Sequence, residues 1–251
     1  MLFKNSMYAI FCIILVSLLL TLFVDVFFLD AVVARLVHDT SSDFGKWVRD
    51  YSQYPSFVLS FIFLVSLIKI KQVPLSDDNK KLFKEVSLAW LLTLFIGVLV
   101  VINATLKLGA ERPRPKVTHI LVDDGIHFQK ILADGDENTT GKSFPSGHSS
   151  MGFLFASPFF ILLLRGKYLL SIISISTGLI FGGVIGYGRM ILGAHFFMDV
   201  YWAGVVVLVS SIISGLIVLY LSEDKNLVIS QQSERKLNLA LQKVKTSLTF
   251  S

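Results

Sequence analysis

Charged side chains are scarce in this sequence. Asp, Glu, Lys and Arg make up 16% of the 251 residues, whereas soluble domains contain about a quarter. Hydrophobic residues account for 53% and the mean hydropathy is +0.68, which excludes an ordinary soluble domain and indicates an integral membrane protein. Cysteine is nearly absent too. Cys12 is the one cysteine in the sequence, so no intrachain disulfide can form. It lies in an apolar run.

The chain also lacks an excess of acidic residues. Its formal net charge is +5, a sign that could indicate nucleic-acid binding. The basic residues, however, lie in short clusters between apolar runs, as orientation signals of membrane proteins do. We therefore expect no nucleic-acid partner. The first apolar run, residues 6–24, is longer than the core of a signal peptide and lacks a convincing cleavage site, so we interpret it as a span.

Six runs are long and apolar enough to cross about 30 Å of hydrocarbon. They are residues 6–24, 51–68, 86–106, 143–164 (interrupted only by His148), 168–188 and 200–222. The predicted fold class is therefore an all-α integral membrane protein with six transmembrane helices. We expect one domain over residues 1–222 and a tail over residues 223–251.

An even number of spans places both termini on one side of the membrane. Lys and Arg favour that side, most clearly in the tight turn Arg165-Gly166-Lys167. Short basic loops are cytoplasmic, so we expect cytoplasmic termini. The tail carries an apolar stripe among basic residues, which fits either an interfacial helix or a solvated end.

Two connections on the opposite, outer side are long. In residues 30–50, apolar side chains at helical spacing, with Trp47 among them, predict a helix lying in the membrane interface. Residues 109–142 form a polar loop rich in Asp. Loops of that length are commonly functional or disordered.

Three clusters of charged and polar residues lie at outer ends of spans. They are residues 107–115, 144–149 and 186–200. Ionisable residues at a membrane edge are costly and therefore indicate function. Because the topology brings the three clusters to one side, we predict an active site at the outer face.

The predicted site has the composition of a phosphate-binding site. Lys107, Arg114 and Arg189 supply three cations, and guanidinium groups match phosphate oxygens in bidentate geometry. Ser146 is suited to begin a helix, where its hydroxyl and the free N–H groups can bind an anion. Gly147 permits close approach of the backbone.

Two histidines suit the two roles of phosphoryl transfer. On a helix, His195 and Asp199 would share a face, so the carboxylate can hold the imidazole as a neutral nucleophile. His148 is available to protonate a leaving group and later to activate water. Three fixed cations can neutralise the transferring group, so we expect no metal or other cofactor.

A metal site is the alternative, because two histidines and a carboxylate are a common ligand set. Three nearby cations would repel a divalent ion. Arg112 adjoins the phosphate-binding run but points elsewhere if Arg114 points in. The other histidines are interpreted as surface residues: His38, His119 and His127.

These motifs resemble the type 2 phosphatidic acid phosphatase superfamily, acid-phosphatase-like membrane lipid phosphatases related to vanadium haloperoxidases. The family pattern is Lys-x6-Arg-Pro, then Pro-Ser-Gly-His, then Ser-Arg-x5-His-x3-Asp. Residues 107–115, 145–148 and 189–199 match in order and spacing, and the resemblance covers the third to sixth spans. Gly188 stands where the family usually has serine; if that hydroxyl binds phosphate in the family, this site has one donor fewer.

The resemblance implies hydrolysis of a phosphomonoester or diphosphate headgroup of a membrane lipid. His195 would form a phosphohistidine, Asp199 would orient it and His148 would protonate the departing lipid. The residues implied in phosphate binding are Lys107, Arg114, Ser146, Gly147 and Arg189. The expected location is a bacterial inner membrane, with the active site facing the periplasm.

The substrate is less closely defined. The runs PSGHSSMGF and GAHFFMDV are similar to Gram-negative lipid A phosphatases, which slightly favours a lipid A phosphate. Undecaprenyl diphosphate, phosphatidylglycerol phosphate and phosphatidic acid stay open, with headgroup selection expected in residues 116–142. A lipid-to-lipid phosphotransferase, a vanadate-dependent oxidant and a non-enzymatic scaffold are the other classes, and six apolar spans argue against the oxidant.

Overall fold

Helices make up almost all of the regular structure. The computed structural model describes residues 2–72, 74–131 and 141–222. Within these ranges no strand is present beyond an isolated bridge between Thr118 and Ile126, so the predicted all-α class is confirmed. The expected tail, residues 223–251, and residues 132–140 of the polar loop lie outside the described residues.

The α-helices of the described chain are α1 (Leu2–Val26), α2 (Leu29–Val37), α3 (Asp43–Tyr51), α4 (Tyr54–Lys69), α5 (Asp77–Thr93), α6 (Lys107–Gly109), α7 (Gly147–Phe153), α8 (Phe159–Leu164), α9 (Tyr168–Ile191) and α10 (Phe197–Leu221). A π-helix, Leu94–Leu106, joins α5 to α6. Short 3₁₀ helices occupy Ile70–Gln72, Pro115–Val117 and Leu154–Ala156.

Six helical stretches in the described ranges are long and apolar enough to cross a membrane, and each overlaps one predicted span. In chain order these spans are Leu2–Val26, Asp43–Gln72, Asp77–Leu106, Gly147–Leu164, Tyr168–Ile191 and Phe197–Leu221. The second was predicted to begin at residue 51. It begins earlier because α3 leads directly into α4.

The fourth span lies at the centre of the bundle. Of its 18 most apolar consecutive residues, 72% are buried, whereas 28% are buried in the corresponding stretch of the fifth span. The two spans approach closely, since a β-carbon added to Gly152 would lie 2.7 Å from Cα of Gly182. Small residues permit such backbone contact between membrane helices. The N-terminus of the fourth span is thereby held inside the protein.

The predicted interfacial helix is two helices, α2 and α3. Residues 38–42 separate them, and Oγ of Ser42 accepts the N–H of Gly45 at the start of α3. Trp47 is 53% exposed, whereas Val48 is fully buried against the fifth span. Helix α3 therefore packs one face on the bundle and keeps the other outside it.

Candidate active site

The predicted clusters at the third, fourth and sixth spans meet at one end of the bundle. The N–H of Ser146 donates to the carbonyl oxygen of Asp199 at 2.9 Å. A β-carbon added to Gly147 would lie 3.5 Å from Nζ of Lys107 and 3.1 Å from Oδ1 of Asn103. The glycine therefore leaves room for the lysine at the start of α7.

Ser146 begins α7, as expected. Its Oγ accepts the N–H of Ser149 at 3.4 Å and lies 2.8 Å from the hydroxyl of the same residue. Both hydroxyls are buried. The serine thus shapes the first turn of the helix that carries His148.

The three predicted cations lie near enough to one another for their charges to interact. Burial lowers the pKa of Lys107, and the positive charges of Arg114 and Arg189 lower it further. Arg189 is 6% exposed, and its Nε and Nη1 have no hydrogen-bond partner among the described residues. Buried donors of a charged group are costly unless a ligand or water accepts them. This guanidinium therefore indicates a binding site for a ligand with negatively charged oxygens.

His195 lies buried in the turn between the fifth and sixth spans. Its Nδ1 is 2.7 Å from the carbonyl oxygen of Ser143 and 3.8 Å from Oδ2 of Asp199. A carbonyl only accepts, so Nδ1 carries the proton and Nε2 keeps the lone pair. Burial also lowers the pKa of His195. The ring is therefore neutral at neutral pH, as a nucleophile must be.

Asp199 acts on this histidine through its nearby charge and through a shared partner. Its Oδ2 accepts the N–H of Phe196 at 2.7 Å and the hydroxyl of Ser143 at 2.5 Å, and its Oδ1 accepts Nη1 of Arg112 at 2.5 Å. Ser143 thus binds the carboxylate with its side chain and His195 with its carbonyl. The expected contact between the carboxylate and the imidazole is present at 3.8 Å, and the Ser143 carbonyl, at 2.7 Å, is the nearer acceptor for Nδ1.

His148 is half-buried on the first turn of α7. Its Nε2 lies 3.3 Å from the carbonyl oxygen of Arg49, in α3. A ring N–H on that nitrogen would donate to the carbonyl and fix the ring. The first outer connection therefore contributes to the site, which no motif indicated.

Gly188 permits the close packing of α3 on α9. A β-carbon at this position would lie 2.7 Å from Cγ2 of Val48 and under 3.0 Å from two further atoms of that side chain. Val48 is fully buried. A serine would require α3 to move. The glycine that departs from the family pattern is therefore the residue that lets Val48 of α3 pack closely on α9.

Sequence reasoning missed Asp30, Ser143 and Arg49 and left Arg112 ambiguous. Arg112 points away from the cation cluster and forms buried ion pairs with Asp30 and Asp199. A signal for Asp30 was present, since an acidic residue stands alone in the apolar run VFFLDAVVA. Its partner lies 82 residues away, so no local spacing connects the two.

The metal alternative finds little support in the donor set. Across residues 2–72, 74–131 and 141–222 no group of three His, Cys, Asp or Glu side chains is placed to hold a metal ion. The Asp199 oxygens already accept bonds from Phe196, Ser143 and Arg112. A metal would have to compete with these donors.

A helical membrane bundle with two histidines and three cations at one end defines a class of proteins built to bind and transfer a phosphate-like group. Residues 87–225 match the PAP2 superfamily. The match covers more than half of the chain, so the chain belongs to this superfamily. The resemblance inferred from the three motifs is confirmed.

One similar protein is the lipid A 4'-phosphatase of Francisella tularensis subsp. novicida (strain U112). It is 34% identical over 118 residues, which cover 47% of this chain and 51% of the relative. The aligned region thus spans about half the length of that relative. No solved structure gives a significant match.

Proposed function

We propose that the protein is a membrane lipid phosphatase in which His195 is the covalent nucleophile and no metal ion is required. The observation that carries the proposal is the buried guanidinium of Arg189, whose Nε and Nη1 have no partner among the described residues. The charges of Arg189 and Lys107 act on both His148 and His195. Membership in the PAP2 superfamily supports the same class.

The first half of the reaction transfers the phosphoryl group to the enzyme. Nε2 of His195 attacks phosphorus with its lone pair while the bond from phosphorus to the lipid oxygen breaks. The negative oxygens of the bound phosphate offset the charges of Arg189 and Lys107, so His148 can be protonated beside the substrate. It gives that proton to the lipid oxygen, and the lipid leaves as an alcohol or, from a diphosphate, as a monophosphate. The proton on Nδ1 stays with His195, held by the Ser143 carbonyl at 2.7 Å.

The second half returns the enzyme to its starting state. His148, now neutral, takes a proton from water, and the water oxygen attacks phosphorus. The bond to Nε2 of His195 breaks and inorganic phosphate leaves. Throughout, Lys107, Arg114 and Arg189 neutralise the equatorial oxygens, the charge role that magnesium has in other phosphoryl-transfer enzymes.

The start of α7 is proposed to bind the same phosphate group. We propose that Ser146 and Gly147 bring backbone N–H groups and a hydroxyl to the oxygens that the three cations leave free. The adjacency of Gly147 to Lys107 supports this assignment. Asp199 then has a positioning role through Ser143.

The proposed substrate is a lipid phosphomonoester or diphosphate, with a lipid A phosphate favoured. The 34% identity to the lipid A 4'-phosphatase supports that preference. Undecaprenyl diphosphate, phosphatidylglycerol phosphate and phosphatidic acid are the competing substrates. We place the protein in a bacterial inner membrane with cytoplasmic termini and a periplasmic site, on the distribution of basic residues.

Phosphate release from a panel of purified lipids tests the proposal. The panel contains lipid A, undecaprenyl diphosphate, phosphatidylglycerol phosphate and phosphatidic acid in detergent micelles. His195→Ala should abolish release and phosphohistidine labelling, because no other group is proposed to form the covalent bond. The matched control is Tyr220→Ala, which changes an exposed aromatic side chain at the opposite end of α10 from His195 and should leave the rate unchanged.

His148→Ala separates the two half-reactions. The nucleophile is intact, so the phosphohistidine should still form from a substrate with a good leaving group, while turnover falls by about 100-fold or more. Unchanged release by His195→Ala would refute the mechanism. Phosphoryl transfer seen only when a second lipid is supplied would instead identify a phosphotransferase.

A further inference from the structure

A buried charge cluster lies behind the proposed nucleophile. Arg112 donates from Nη2 to Oδ2 of Asp30 at 2.7 Å and from Nη1 to Oδ1 of Asp199 at 2.5 Å. Asp30 and Arg112 are each 1% exposed and Asp199 is fully buried. Burying three charges is costly, and one guanidinium needs only one carboxylate for neutrality. The second carboxylate therefore calls for an explanation.

The other described contacts of the cluster are neutral. Nε of Arg112 donates to the carbonyl of Gln129 at 3.0 Å, and the guanidinium lies 4.3 Å from the ring centroid of Phe196. Oδ1 of Asp30 accepts the N–H of Met198 at 3.0 Å, in the first turn of α10. Burial raises the pKa of Asp30. Both of its oxygens nevertheless accept N–H donors, one of them from the charged Arg112, which is the pattern of an ionised carboxylate. The cluster then carries a net charge of −1.

A continuous chain of hydrogen bonds connects this cluster to His195. Asp199 accepts the hydroxyl of Ser143 at 2.5 Å, and the carbonyl of Ser143 lies 2.7 Å from Nδ1 of His195. Arg112 fixes the far side of the Asp199 carboxylate, and Asp30 fixes Arg112. Displacing Arg112 or Asp30 would move Asp199 and Ser143, and would therefore change the direction in which the lone pair of His195 Nε2 points.

We propose that Asp30 and Arg112 are positioning residues for His195, which hold Asp199 and Ser143 in place and supply a net negative charge behind the imidazole. This inference rests on the proposed function. Neither residue belongs to the motif positions assigned to the nucleophile, the acid or the phosphate ligands.

The charge has a specific role in the proposed chemistry. When Nε2 forms its bond to phosphorus and Nδ1 keeps its proton, the ring becomes a cation. That positive charge arises in a buried site next to Lys107 and Arg189, whose charges oppose it. A net charge of −1 on the other side offsets this repulsion. If Asp30 were neutral, the charges of Arg112 and Asp199 would cancel and the cluster would carry no net negative charge.

Asp30→Asn is the direct test. Asparagine keeps an oxygen for the N–H of Met198, but it removes the charge and presents an amide group to Arg112. We expect kcat to fall by about 10- to 100-fold, as for outer partners of ligating histidines. KM and the inhibition constant of inorganic phosphate should stay within about twofold, because the proposed phosphate ligands are unchanged.

Asp43→Asn is the matched control. It makes the same chemical change in the same outer connection, at a side chain that is 99% exposed, and it should leave kcat unchanged. The rate of phosphohistidine formation, measured by rapid quench, should fall with kcat in Asp30→Asn. A purely structural role would instead weaken phosphate inhibition and lower the yield of folded protein together.

Arg112→Lys decides the question if Asp30→Asn does not fold. Lysine keeps the buried positive charge but cannot donate to both carboxylates as a fork, so we expect kcat to fall with phosphate inhibition retained. Unchanged kcat in a folded variant at either position would overturn the inference while leaving the proposed function intact. Absence of phosphate release from every lipid by the unsubstituted protein would refute both.

Discussion

Gly188→Ser would introduce the residue that the PAP2 pattern usually has, and we expect it to harm this protein. The new β-carbon would lie 2.7 to 2.9 Å from three side-chain carbons of Val48, against about 3.5 to 4.0 Å at optimal contact. Overpacking of a core costs about 1 to 3 kcal/mol. The better helix propensity of serine returns about 0.5 kcal/mol. The net loss of unfolding free energy should be about 0.5 to 2.5 kcal/mol.

The same substitution should lower activity, because α3 carries Arg49, whose carbonyl oxygen lies 3.3 Å from Nε2 of His148. Moving α3 outward releases that ring, and small displacements in an active site can cost up to about 100-fold in rate. We expect kcat to fall by about tenfold. Thermal unfolding in detergent and phosphate release from one preparation would measure both effects.

Two further variants make this prediction sharp. Gly183→Ser places the same side chain on the same helix where no heavy atom lies within 4 Å of the added β-carbon, so it should be neutral or slightly stabilising. Val48→Ala should relieve the steric conflict in Gly188→Ser. The double variant should therefore lose less unfolding free energy than the two single variants lose in sum. If Gly188→Ser matches the unsubstituted protein, or the two losses simply add, the steric argument is wrong.

Two other predictions concern charge at the site. Burial and the neighbouring arginines lower the pKa of Lys107 below that of an ordinary lysine, so this lysine loses its charge at a lower pH than an exposed one. KM should therefore begin to rise at a lower pH than an exposed lysine would require, and Lys107→Arg should keep KM low there; a parallel rise in both proteins would contradict this. Phosphate release should also persist in excess EDTA, because fixed cations are proposed to neutralise the phosphate. Loss of activity that added magnesium restores would favour the metal-site alternative.

Much of the site could be predicted because its parts are local. The motifs in residues 107–115, 145–148 and 189–199 can be recognised from residue type, order and spacing in the sequence. Their shared side follows from the number of spans, since each apolar run must cross the same thickness of hydrocarbon. The structure brings Lys107, Gly147 and Asp199 to one end of the bundle, as that topology requires.

The partners of each side chain could not be predicted in this way. Helical spacing indicated that Asp199 would bind His195, and the two do lie 3.8 Å apart. Hydrogen bonds, however, form with whichever donor or acceptor has the best geometry. The Ser143 carbonyl is nearer to His195, while Arg112 and the Ser143 hydroxyl bind the carboxylate.

By itself, the sequence determined the class of protein, the six spans and the family, because apolar run length and motif spacing are properties of the chain alone. It also predicted the residues that we propose for phosphoryl transfer. Only the tertiary structure decided which groups support them. The pairing of Asp30 with Arg112 and the docking of Val48 on Gly188 join residues far apart in sequence. Such contacts depend on how helices pack, and no local pattern encodes them.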